Sequence, residues 1–184
     1  MQNKIKRVIE KQLIDKLEQY DFEFNEHEVG CELFNLLKKD RRIVRAQYRI
    51  RLQKGKYIIP DLAILNKKCE IINPIEIKSR QFLSIKGLKG ALFVNGKKYC
   101  ECESIYRLIQ KIKCAKGTAI FINKIRHEDK SILESLEDLD IDSVIPTKYD
   151  PIQVYYLEFI FKKKPRFIGG LIIHNGEIQR LEGI

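Results

Sequence analysis

Residues 57–78 read YIIPDLAILNKKCEIINPIEIK, two apolar runs joined by a polar turn at Asn66-Lys67-Lys68. The first run, Tyr57 to Leu65, opens on β-branched residues, and the second, Cys69 to Lys78, is equally rich in isoleucine, so both read as buried strands. A turn of this length lets them pair as an antiparallel hairpin. Three ionisable residues interrupt the pattern: Asp61 in the first strand, Glu76 and Lys78 in the second. Taking a charge out of water without a partner costs several kcal/mol, so three charges in adjoining core strands need a reason. Residues i and i+2 of a strand share a face, which points Glu76 and Lys78 the same way. Hairpin pairing sets Asp61 beside Glu76.

Working outward, Asn25 reads as the N-cap of a helix over 26–39, with Val29, Leu33, Leu36 and Leu37 at helical spacing. Ile5, Val8, Ile9, Leu13 and Leu17 give an earlier helix over 4–20 the same periodicity. Residues 43–52 alternate as a half-exposed strand, and 91–94 are a weak strand. Ser104 to Cys114 predicts a helix ended by Gly117, and 118–123 another short buried strand. Residues 131–140 read as an acidic helix, and 152–181 as strands with a hairpin turn at Asn175-Gly176. Helix, three strands, helix, strand is the order of a mixed sheet with helices on its faces. The expectation is one α/β (α+β) domain over 1–184. It comprises an N-terminal helix (1–25), a core (26–123) and a β-rich C-terminal extension (124–184).

The chain carries 35 Lys and Arg against 25 Asp and Glu in 184 residues, a formal charge of +10 that fits a polyanionic partner. The signs are segregated. Lys38 to Lys56 holds nine basic residues and one acid, and Lys78 to Lys98 holds six basic residues and no acid. Residues 128–142 hold seven acids and one lysine. No apolar run reaches the ~20 residues that span a bilayer, and the N-terminus lacks the apolar stretch of a secretory signal. Five scattered cysteines, Cys31, Cys69, Cys100, Cys102 and Cys114, read as reduced thiols, so a cytoplasmic location is expected. Cys100-x-Cys102 with Cys114 lacks paired CxxC spacing, and His27, His127 and His174 share no ligand spacing, so no metal is expected on them. No GxxxxGK[ST] loop is present, so no nucleotide cofactor is expected.

Two adjoining carboxylates with open positions favour a hard cation such as Mg²⁺, and a lysine beside it positions a water or neutralises a phosphoryl oxygen. In a basic protein this chemistry is metal-assisted hydrolysis of a phosphodiester. Pro60-Asp61, fourteen residues, then Glu76-Ile77-Lys78 resembles the PD-(D/E)XK motif of the restriction-endonuclease-like nuclease superfamily. The resemblance extends over about residues 26–123 and includes the element order. It implies a restriction-endonuclease-like fold, Asp61 and Glu76 as ligands of Mg²⁺ (or Mn²⁺), Ile77 lending its backbone carbonyl, and Lys78 acting on the attacking water. The family's helix acid falls on Glu28 or Glu32. Phase about the helix favours Glu32 slightly, but Glu28 lies in the first turn, where free N–H groups favour a carboxylate, and is preferred.

Pro60-Asp61 is the only Pro-Asp in the chain, whereas acid-x-Lys recurs at Glu128-Asp129-Lys130. An Asp61–Lys78 ion pair with Glu76 facing solvent, or an inactive relative of the superfamily, would account for the same residues. The expected function is a Mg²⁺-dependent DNA nuclease, an endonuclease of restriction, DNA-processing or defence type. The alternatives are a non-catalytic nucleic-acid- or protein-binding module of the same fold and an RNA-cleaving member. Arg45, Arg49, Arg51, Lys54, Arg80, Lys86 and Lys89 are the expected DNA contacts, and a homodimer would cut both strands.

Overall fold

A computed structural model describes residues 2–39, 42–51, 57–81, 101–114, 116–126, 130–133, 149 and 151–183. The chain opens with α1 (Gln2–Val8), which passes through a π-helical turn (Ile9–Leu13) into α2 (Ile14–Glu18). Ile5, Val8, Ile9, Leu13 and Leu17 are buried, as their spacing predicts. Next comes α3 (Glu26–Lys39), which buries Val29, Leu33, Leu36 and Leu37. Its entry is a capping box: the Glu28 N–H donates to Asn25 Oδ1 at 3.0 Å, and the Asn25 N–H donates to Glu28 Oε2 at 2.6 Å.

The strands are β1 (Ile43–Ala46), β2 (Ile50–Arg51), β3 (Tyr57–Ile58), β4 (Leu62–Leu65) and β5 (Ile71–Arg80). After α4 (Glu101–Ile112) follow β6 (Gly117–Arg126), β7 (Ile152–Phe161), β8 (Pro165–His174) and β9 (Glu177–Glu182). Among the described residues they build a seven-stranded sheet in the order β1-β4-β5-β6-β7-β8-β9 and a separate β2-β3 ribbon. β1, β4 and β5 are antiparallel neighbours, β5, β6 and β7 are parallel, and β8 and β9 return antiparallel. The protein is therefore α+β, a mixed sheet flanked by helices.

Two apolar layers sandwich the sheet. Ile75, Ile77, Ile120, Ile122, Tyr155, Leu157 and Phe159 face α1, α2 and α3, whereas Ala119, Phe121, Val154 and Tyr156 face α4. Each fully buried isoleucine or leucine contributes roughly 1.5–3 kcal/mol. On the α4 side Glu158 is fully buried yet well partnered. It accepts from the Tyr156 hydroxyl (2.6 Å), Asn123 Nδ2 (3.1 Å), the Ile132 N–H (3.1 Å) and the Ser131 hydroxyl.

Several expectations need correction. The strand expected over 43–52 breaks at Gln47, whose left-handed backbone (φ 45°) turns the chain away from the sheet. The strand expected over 57–65 divides at Ile59-Pro60-Asp61, so Asp61 precedes β4, and β3 pairs with β2 instead. α4 begins at Glu101 and ends where Lys113 turns left-handed (φ 55°), not at Gly117. Gly117 opens β6, and a Cβ there would lie 2.2 Å from Ile105 Cγ2, so its bareness lets α4 pack closely. The expected Asn175-Gly176 hairpin turn is present, with both residues at positive φ. The C-terminal strands continue the one sheet through β6–β7 pairing. The expected strand over 91–94 and most of the 131–140 helix lie outside the described residues.

Candidate active site

Leu62 pairs with Ile75, so Asp61, one residue earlier, stands opposite Glu76 just beyond the end of the β4–β5 ladder. There the Ile77 N–H donates to Asp61 Oδ2 at 2.7 Å. The carboxylate thus occupies the place of a strand partner that Pro60, with no N–H, does not extend. Ile75 and Ile77 point into the core, and the alternate residues Glu76 and Lys78 are half-exposed on the other face. Asp61 and Glu76 face each other across the end of the ladder, near enough for the Glu76 side chain to act on the Asp61 carboxyl. The three motif residues therefore gather at the C-terminal half of β5, within reach of one another.

The helix acid is the clearest departure from expectation. Glu26, the first residue of α3, lies 3.2 Å from Lys78 Nζ and also accepts weakly from the Ser79 N–H at 3.5 Å. Glu28 does not reach the motif in this way, because its carboxylate is engaged in the capping box with the Asn25 N–H. Glu32 accepts from the Tyr20 hydroxyl at 3.3 Å. Burial and that carboxylate push the Tyr20 phenol up to about 12.

Burial raises the Asp61 carboxyl above its usual range, and the negative charge of Glu26 adds to the rise. The Ile77 N–H, the Glu76 hydrogen bond and the Lys78 ammonium act in the opposite direction. A positive charge brought to this carboxyl would oppose the rise and favour its charged form. The carboxylate oxygens of Asp61 and Glu76, with the Ile77 carbonyl that the motif resemblance adds, would make an all-oxygen donor set of the kind that suits Mg²⁺. Among the described residues no group of three or more His, Cys, Asp or Glu side chains forms a metal site by side chains alone.

A cleft of about 780 Å³ follows α3 from Glu26 to Phe34 and Asn35, with Ala46, Gln47, Asp61 and Leu62 also lining it. The Gln47 N–H donates to the Asp61 carbonyl at 2.9 Å, so the cleft wall and the motif are directly tied. Of the expected DNA contacts, Arg45, Arg49, Arg51 and Arg80 are exposed, and the Arg49 guanidinium lies over the Tyr57 ring at 5.2 Å. Lys54, Lys86 and Lys89 lie outside the described residues. Cys31, Cys69, Cys102 and Cys114 are free thiols. Among the described residues no helix is long and apolar enough to cross a membrane.

Two features escaped the sequence reading. Glu26 was open to it, because Asn25-x-x-Glu28 is a capping-box signature that commits Glu28 and leaves the other first-turn acid for another task. His27 and Cys31 stand one helical turn apart, with Nε2 and Sγ 3.6 Å from each other, on the wall of the same cleft. The H-x₃-C spacing on a helix was the available signal.

No family model and no curated protein matches the chain. Among solved structures it is similar to the YaeQ protein from Xanthomonas axonopodis pv. citri, at 11% identity and a TM-score of 0.29, over 87% of this chain and 79% of that one. A likeness of that strength carries no argument about fold or function, and the reading of this chain rests on its own residues.

Proposed function

We propose that this chain is a Mg²⁺-dependent nuclease of the PD-(D/E)XK, restriction-endonuclease-like superfamily that hydrolyses DNA phosphodiester bonds. The observation that carries the reading is the Asp61–Glu76 carboxyl pair, with Lys78 on the same strand face as Glu76. The order of α3, three antiparallel strands, α4 and a parallel strand agrees with the element order that the motif implies.

In this reading Asp61, Glu76 and the Ile77 carbonyl hold the cation. Bound there, Mg²⁺ would polarise the scissile phosphoryl group and neutralise its developing charge. The Lys78 ammonium donates to the attacking water and to a phosphoryl oxygen, and so orients one toward the other. Glu26 fixes the position of that ammonium from the helix side. The positive surface around Arg45, Arg49 and Arg51 holds the polyanion by its phosphates.

The test is a cleavage assay on supercoiled, linear, branched and single-stranded DNA, with RNA as a further arm. Cutting is expected with Mg²⁺ or Mn²⁺, with Ca²⁺ supporting binding but not turnover. Asp61→Ala, Glu76→Ala and Lys78→Ala should each abolish it. Parental cutting by Lys78→Ala would sink the assignment.

A further inference from the structure

Resting on the nuclease reading, we infer that the strand enters this site unpaired. One base sits in the cleft beside Asp61, and its neighbouring phosphates lie on a basic groove formed by α3 and β1. The cleft has a volume of about 780 Å³, within the roughly 300–1,000 Å³ typical of small-ligand sites. Its chemistry is unsuited to a phosphate. Acids Glu26 and Asp61 stand at one end, and no lysine or arginine is among the described residues that line it. Away from Lys78, which pairs with Glu26, and from the cation proposed at Asp61, a phosphate within the cleft would meet no described lysine or arginine of its lining. A flat, neutral group with polar edges would instead meet the Phe34 ring and the amides of Asn35 and Gln47. Those are the partners an unstacked base uses, an aromatic face and hydrogen bonds at its edge.

The sign of the surface reverses one step further on. Phe34 and Ala46 also line a second cleft of about 450 Å³, whose other walls include Lys38, Arg42 and Arg45. The two clefts are thus contiguous, and Lys38 Nζ lies over the Phe34 ring at 5.1 Å, at the point where they meet. Carboxylates, then an aromatic and amide chamber, then a run of cations is the sequence of groups that a strand needs. It matches a scissile phosphate on the cation, its base in the chamber, and the next phosphates on the basic groove. β1 is the edge of the sheet, and its residues Ile43, Arg45 and Ala46 are exposed, so among the described residues no further strand covers the track. In a duplex the same base is paired along its edge and stacked on both faces, and extracting it costs a few kcal/mol. An already unpaired nucleotide avoids that cost, so single strands and the unpaired arms of branched DNA are the favoured substrates.

The test uses the full chain in Ca²⁺. Fluorescence anisotropy compares a short fluorescein-labelled single strand with the blunt duplex that contains it, and Mg²⁺ cleavage follows on both. The single strand should bind about tenfold more tightly than the duplex. Phe34→Leu, which keeps an apolar side chain against the core, should weaken the single strand about five- to tenfold and the duplex less than twofold. Asn35→Ala, at an exposed position, should reproduce the direction without any effect on folding. Lys38→Glu with Arg45→Glu should weaken single-strand binding and flatten its salt dependence. Equal affinity for the two forms, or equal losses on both in Phe34→Leu, would overturn the inference. If both forms were cut equally and Lys78→Ala abolished the cutting, the nuclease reading would stand without the unpaired strand. If neither form were cut but the single strand still bound preferentially through Phe34, the groove would stand and the nuclease reading would fall.

Discussion

Glu26→Gln, set against Glu28→Ala and Glu32→Gln, separates three acids of one helix by what each of them touches. Lys78 Nζ and Glu26 Oε2 are 3.2 Å apart, with side chains 30% and 39% exposed. Two unit charges at that distance attract by about 5 kcal/mol at an effective dielectric constant near 20. At such exposure, solvent screening and side-chain entropy reduce the net worth to about 0.5–1 kcal/mol. Glutamine keeps the length and loses the charge, so Glu26→Gln should lower the melting temperature by no more than about 2–4 °C. The rate should respond far more. In the proposed nuclease Lys78 would lose the partner that holds it at 3.2 Å, and displacing a positioned group by about 1 Å costs on the order of a hundredfold in kcat.

Glu28→Ala is expected to do the reverse. It removes the acceptor of the Asn25 N–H and half of the capping box, at a cost of about 0.5–1 kcal/mol, while cutting per folded molecule is unchanged. Glu32→Gln alters only the Tyr20 contact and should leave the rate at the parental level. The assay is the initial rate of plasmid cleavage at saturating Mg²⁺, paired with thermal unfolding of each variant. A hundredfold loss in Glu28→Ala beside parental cutting in Glu26→Gln would refute the assignment of roles along this helix.

Asp61→Asn should stabilise the metal-free protein at neutral pH. The native carboxyl is raised above the 3.8 of the unfolded chain, so the unfolded state releases its proton first and stability falls as pH rises through that window. The gain should vanish below about pH 4 in chemical-denaturation titrations, and Ca²⁺ should raise the melting temperature of the parent but not of the variant. Reversing Arg49 and Arg51 to Glu should weaken DNA binding on every sequence and reduce the slope of affinity against salt by about one per lost phosphate contact. Salt-insensitive binding would point to a protein partner. Glu158→Ala leaves the Tyr156 hydroxyl proton and the Ile132 N–H without their buried acceptor and removes one of the Asn123 amide's acceptors, so urea unfolding should report a loss of about 3 kcal/mol or more. A loss below about 1 kcal/mol would mean that this network does not hold residues 131–133 to the sheet.

What was legible in the sequence follows the range of the forces that wrote it. The α3 stripe, the β4–β5 hairpin and the Asn175-Gly176 turn are set by neighbours within a few residues, and periodicity and turn chemistry reveal such contacts directly. Asp61, Glu76 and Lys78 were legible because a charge within an apolar strand violates the local pattern. Gln47 was not, since nothing in its neighbours requires a left-handed backbone; the requirement comes from the Asp61 carbonyl, fourteen residues away. The parallel pairing of β6 with β7 likewise joins segments far apart in the chain, where alternation predicts strands but no register. Which acid of α3 stands beside Lys78 was hidden for a different reason. Helical phase locates an acid around the axis, but only the capping box says which acid is already committed.

The same principle orders the site. In a protein of net charge +10, Asp61 has two further acids near it, Glu76 opposite and Glu26, whose charge opposes its ionisation. Lys78 is shared, since it faces Asp61 electrostatically while it pairs with Glu26. If the cluster served stability alone, an apolar replacement of similar volume would do as well, because buried carboxyl pairs are held at a desolvation cost. A divalent cation reverses that balance. In the proposed nuclease Asp61 and Glu76 would hold such a cation, with the Lys78–Glu26 ion pair beside it. Because burial raises the Asp61 pKa, a cation affinity that falls as pH is lowered into the carboxylate range is the signature that separates a built cation site from an incidental acid cluster. Calorimetry with Ca²⁺ should show that fall in the parent, and Asp61→Asn should bind the ion far more weakly at every pH.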